Sequence, residues 1–177
     1  MHPPEGAAWL VWLETSALAV AMRQWQWLYP IVEILHIVGF VLVVGGAFFF
    51  DLRLLGRSRS LPVSGLSRHL LTWSRAGFAL VVPTGFMMFT AHATEFAANP
   101  AFRLKLILIG VALLNAVAFH RWPFRSVARW NVSARTPAWA RLAAVVSLVG
   151  WIGAIACGRL LPTSRKGPCP WPSGRGR

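Results

Sequence analysis

The stretch from Tyr29 to Asp51, Tyr-Pro-Ile-Val-Glu-Ile-Leu-His-Ile-Val-Gly-Phe-Val-Leu-Val-Val-Gly-Gly-Ala-Phe-Phe-Phe-Asp, limits what this chain can be more than any other. It is long enough to cross a bilayer, because roughly 20 residues rising 1.5 Å each match the hydrocarbon core. It also holds Glu33 and His36. Ionisable groups at such depth are costly, so each marks either a functional site or a polar contact satisfied inside the protein.

Similar apolar runs follow, and they predict four spanning helices at 30–50, 72–92, 102–120 and 139–161. The expected fold is therefore all-α, an integral membrane antiparallel four-helix bundle built from residues 30–161. A chain that is 56% hydrophobic over 177 residues has no room for a separate soluble domain. Residues 1–29 form an N-terminal segment. Met1 to about Leu13 reads as irregular. Thr15 or Ser16 then caps a short interfacial amphipathic helix, which ends among Trp25, Trp27 and Tyr29, aromatic rings suited to the headgroup layer. No basic n-region or cleavage site precedes it, so the first span is expected to be retained. Residues 162–177, rich in Pro, Gly and Ser, read as a disordered basic tail.

The net charge of +13 invites a nucleic-acid reading, but the basic residues lie between and after the apolar runs. The first connection holds Arg53, Arg57, Arg59, Arg68 and Arg75, and the third holds Arg121, Arg125, Arg129, Arg135 and Arg141. Against these ten stand Arg23, Arg103 and Lys105, three in all. The positive-inside rule then puts the first and third connections in the cytoplasm and both termini in the periplasm. The expected setting is the bacterial inner membrane, with the lipid bilayer and a membrane or periplasmic protein as partners and no nucleic acid.

Within the predicted spans, Pro83 introduces a kink. Asn115 reads as an interhelical hydrogen bond worth about 1 kcal/mol. Ala143, Ser147, Gly150, Ala154 and Gly158 form a stripe of small residues that lets another helix approach, and Gly39 with Gly46 forms a second one. An ion pair from Asp51 to Arg53 or Arg75 is expected to fix the first hairpin at the interface. The two cysteines, Cys157 and Cys169, show no metal-type spacing and would pair only if both faced an oxidising compartment.

Chemistry, if present, rests on the histidines. Glu33 lies about 60° around the helix from His36, and His92 ends the second span on the same side, followed by Glu95. Glu33, His36, His92 and Glu95 would then surround copper or zinc. Alternatively His36 and His92 would ligate haem b, with Met88 as a substitute axial ligand. His69 and His120 form a possible inner pair on the cytoplasmic side, and two stacked haems would make a transmembrane electron path. The alternative to each role is structural: a Glu–His contact between helices, a histidine at a helix end, or histidines in arginine-rich interface sequence. No nucleophile elbow, P-loop, dinucleotide fingerprint or HExxH motif appears, so nothing reads as a conventional enzyme.

Tyr29-Pro30, Glu33, His36, Gly39, Asp51-Leu-Arg-Leu-Leu-Gly56, Thr84-Gly85, Asn99-Pro100, Phe102, Lys105, Asn115 and Phe119-His120 resemble an uncharacterised family of bacterial inner-membrane proteins, a domain of unknown function. The resemblance covers about Trp12 to Leu161. More loosely, the chain looks like four-helix membrane proteins of the copper-resistance D type and b-type cytochromes. That likeness implies copper handling or haem-mediated electron transfer near the periplasmic side. It departs from them in lacking paired histidines one leaflet apart on each of two helices. The rival expectation is a cofactor-free accessory subunit that packs against a larger membrane complex.

Overall fold

A computed structural model describes residues 6–57, 60, 62–121, 127 and 136–159. Regular structure among these residues is helical, with no strand: α1 (Ala8–Glu14), α2 (Ala17–Gln24), α3 (Leu28–Leu54), α4 (Val63–Ala91), α5 (Ala93–Ala98), α6 (Pro100–Arg121) and α7 (Ala138–Arg159). The disordered tail read from the sequence, with Cys169, lies outside the described residues. Cys157 is a buried free thiol.

Local chemistry fixes the helix ends. The Ser16 hydroxyl accepts a bond from the Ala19 amide at 3.3 Å, the capping bond the sequence predicts for α2. At the start of α6, the Asn99 side-chain oxygen accepts from the Ala101 amide at 2.9 Å, and Pro100 occupies the first helical position, where its missing N–H costs nothing. Gly56 closes α3 with a φ of 101°. There the Arg57 amide reaches the Leu52 carbonyl at 3.0 Å and the Gly56 amide reaches Arg53 at 3.1 Å, the paired bonds of a glycine-terminated helix.

One correction concerns the N-terminus, since Ala8–Glu14 is helical where the sequence reads as irregular. Its helix is fixed by tertiary contacts that no local pattern reveals. The Glu14 carboxylate accepts from the Thr94 amide at 3.0 Å and from the Thr94 hydroxyl at 2.7 Å, in the first turn of α5. Arg23 then donates to the carbonyls of Ala91 and Glu14, both at 2.8 Å. These bonds hold α1 and α2 over the end of α4.

The four long helices pack side by side in the order α4, α3, α7, α6. Glycines set the first contact. A Cβ on Gly39 would lie 2.9 Å from the Val81 amide nitrogen and 3.0 Å from the Gly77 carbonyl oxygen, so α3 and α4 touch backbone to backbone there. Further along, a Cβ on Gly46 would meet the Ser74 hydroxyl at 2.7 Å, and the two helices run antiparallel. On the other side, a Cβ on Gly150 would meet the Ala112 side chain at 3.2 Å, and the Asn115 amide donates to the Ala143 carbonyl at 2.9 Å. The Asn115 bond between helices is thus present. An edge-to-face contact of Phe40 with Trp151 joins α3 to α7.

Leu28–Leu54, Pro100–Arg121 and Ala138–Gly158 are long and apolar enough to cross a membrane. Their outward faces carry large exposed apolar side chains, among them Ile34 and Phe49 on α3, Ile107 and Leu114 on α6, and Leu142 and Val149 on α7. A water-soluble fold would bury such stripes, whereas a bilayer accepts them. α4 begins at Val63, earlier than the apolar pattern predicts, and carries Arg68, His69 and Arg75 in its first half.

Candidate functional site

The histidines singled out by sequence do not gather at one centre. His36 is held by α4: its Nδ1 lies 3.1 Å from the Val81 carbonyl and 3.1 Å from the Thr84 hydroxyl. Its ring lies against Gly85, where a Cβ would approach Cε1 to 2.9 Å. The contact falls beside Pro83, which lacks the donor that would bond the carbonyl four residues earlier. Glu33 is exposed, and the groups that hold the His36 ring come from α4.

His92 lies seven residues beyond Gly85, about 10 Å along the helix axis. It is exposed and turned toward α5, 3.9 Å from Glu95 and edge-on to Phe96. Met88 packs with Met22 and Val32 in an apolar cluster. At the other end, His69 is exposed, and Ser67 rather than His69 meets His120, with its hydroxyl 3.3 Å from Nε2. Residues two apart on a helix lie about 200° from one another, so a single face cannot present both. Among the described residues no group of three or more His, Cys, Asp or Glu side chains could hold a metal ion. Glu33, His36, His92 and Glu95 therefore do not gather as a four-ligand copper or zinc site.

What the fold does assemble is a cavity of about 130 Å³ among α3, α4, α6 and α7. α4 and α6 meet at two points, the Ser67–His120 bond beside the cavity and, toward the other end, the stacked rings of Phe89 and Phe102, 5.6 Å apart. Its polar lining consists of Asp51, Ser67, Ser74, Asn115, His120 and Ser147. His120 is fixed by its Nδ1, 3.0 Å from the Ala116 carbonyl, and by its ring stacked on Phe50.

Asp51 is the group that stands out. It is 5% exposed, and Ser147 of α7 bonds its side chain, yet Oδ2 is fully buried without a hydrogen-bond partner. A carboxylate oxygen left this way has lost its water and gained nothing in return, at a cost of about 1–3 kcal/mol or more. The ion pairs expected for it do not explain it. Arg53 is buried, but it leaves the helix about 200° from Asp51. Arg75 is exposed, next to the Ser74 that faces Gly46, and so stands more than a turn of helix away.

Sequence reading missed Asp51, Ser67 and Ser147 as a group. Their signals were present but separate: an acid ending an apolar run, and one serine in a stripe otherwise read as packing. Only the fold order α4, α3, α7, α6 brings them to one cavity. Compared with protein-family models, curated proteins and solved structures, the chain matches none.

Proposed function

We propose that this chain is an integral membrane protein in which α3, α4, α6 and α7 all span the bilayer, and that it binds a small ligand in the cavity at Asp51. The observation that carries the reading is Asp51, which lines that cavity and whose Oδ2 is buried without a hydrogen-bond partner. A charge buried without a partner is tolerated only where function requires it or where a proton or cation compensates it. At 130 Å³ the cavity is well below the roughly 300–1,000 Å³ of drug-sized sites, so the ligand is small.

Membership of α4 in the membrane is supported by its exposed Trp73, Val82 and Phe86 and by its contact with α3 along nearly its whole length. With four spans, the arginine distribution orients the protein in a bacterial inner membrane with both termini periplasmic and Asp51 in the cytoplasmic half. Exposed Trp9, Trp12, Trp25 and Trp27 then form an aromatic layer at the periplasmic face.

The test is chemical. In lipid nanodiscs a hydrophobic carbodiimide should modify Asp51, read by peptide mass, while a water-soluble carbodiimide should modify exposed Glu95 and spare Asp51. Modification of Asp51 by the water-soluble reagent alone, or by neither, contradicts an intramembrane ligand site.

A further inference from the structure

The walls around Asp51 indicate which ligand class the cavity takes, an inference that rests on the ligand-site reading above. Phe50, Phe78, Phe119 and Trp151 all line it, and most of its surface is apolar. Phe50 and Phe119 meet edge to face at 5.7 Å, and Trp151 is braced edge-on by Phe40 at 6.5 Å, so these rings are fixed rather than adaptable. Among the described residues that line the cavity, the buried polar atom without a hydrogen-bond partner is an acceptor, Oδ2 of Asp51. Aromatic faces attract cations, and an ionised carboxylate accepts hydrogen bonds without donating any.

We propose that the cavity binds a small alkylammonium ion, its N–H donating to Asp51 Oδ2 and its alkyl part resting among Phe50, Phe78, Phe119 and Trp151. Three properties of the site meet in this ligand and in few others. The charge compensates the carboxylate, the N–H supplies the missing hydrogen bond, and the hydrocarbon matches the walls. Size agrees as well, because an apolar cavity of about 150 Å³ holds a benzene molecule. A hydrated metal cation would meet only one carboxylate and no second acidic ligand. A neutral apolar molecule would leave Oδ2 as it is.

Asp51 and its neighbours Ser67 and His120 lie toward the arginine-rich ends of the helices. The ammonium therefore has two sources, a free amine or the amine headgroup of a lipid such as phosphatidylethanolamine. Both present the same N–H cation.

Protection from hydrophobic carbodiimide tests the assignment in nanodiscs of phosphatidylglycerol, with n-propylammonium as probe and n-propanol as its neutral counterpart. Propylammonium should slow the loss of unmodified Asp51, acylurea and propylamide products counted together, at least about tenfold at saturation, and propanol should not. Calorimetric titration of the same probe should weaken at least about tenfold in Asp51→Asn, the loss of one charge-assisted hydrogen bond. The wild-type comparison of the two probes needs no variant, so misfolding of Asp51→Asn cannot mask the answer. Protection in phosphatidylethanolamine nanodiscs without added amine would assign the ligand to a lipid headgroup. Protection that requires propylammonium would assign it to a free amine, and either supports the class. Equal protection by propanol, or none by propylammonium while Asp51 remains reactive, overturns the ammonium assignment and leaves the ligand site standing. An Asp51 unreactive in every condition removes the site itself.

Discussion

Gly77→Leu is expected to destabilise the protein by about 3 kcal/mol, the upper part of the range for an overfilled core. A Cβ alone at this position would lie 2.7 Å from the Gly39 carbonyl oxygen, 2.9 Å from the Leu42 Cβ and 2.9 Å from the Val43 Cγ2. The first of these is backbone, so no side-chain rotation relieves it and α3 must move off α4. The axis of that contact also carries His36 against Gly85 and Gly46 against Ser74, and both would open with it. Gly45→Leu is the control, because nothing lies within 4 Å of its Cβ position. It should change stability by no more than about 0.5 kcal/mol. Thermal unfolding in detergent, followed by circular dichroism, separates the two. Equal effects would mean that the α3–α4 contact is not set by glycine.

Asp51→Leu should move stability in the opposite direction, upward by about 1–2 kcal/mol. The variant removes an oxygen that is buried without a partner and places a hydrocarbon side chain beside an apolar cavity of about 130 Å³. It also deprives the Ser147 hydroxyl of its partner, which reduces the gain. A residue whose removal stabilises a protein is one that function keeps at the expense of stability. Loss of stability by several kcal/mol would instead identify Asp51 as a structural anchor and count against the ligand site. The same unfolding assay reads both outcomes.

How far the sequence reached depends on the range of the interaction concerned. The capping bond of Ser16, the start of α6 at Asn99-Pro100 and the apolar runs of three spans are local, and residue type and spacing reveal them. Gly39, Gly46 and Gly150 were legible as close-approach positions because a small residue in an apolar helix has few other reasons to recur. Their partners were not legible: Gly77 on α4 and Ala112 on α6 depend on which helices become neighbours. The same gap explains the site. Glu33 and His36 attract attention because they interrupt an apolar run, yet His36 is satisfied by the Val81 carbonyl and the Thr84 hydroxyl beside the α4 proline. Asp51 ends that run, where an acid normally meets water or an arginine. Its burial follows only from α7 packing against α3 and bringing Ser147 to it. Helix α1 was missed for a related reason, since the Glu14–Thr94 bonds that dock it span 80 residues.

An intramembrane site at Asp51 requires α4, whose first half carries three basic or titratable residues, to cross the membrane beside α3. The most direct measurement is the sidedness of its two ends. Single cysteines at Gly65 and Ala98, each in a Cys157→Ala, Cys169→Ala background, would be exposed to a membrane-impermeant maleimide in sealed right-side-out vesicles. Four spans predict that Ala98→Cys is labelled in intact vesicles and that Gly65→Cys is labelled only after the membrane is opened. Labelling of both from the same side would contradict the four-span bundle and, with it, an intramembrane site at Asp51.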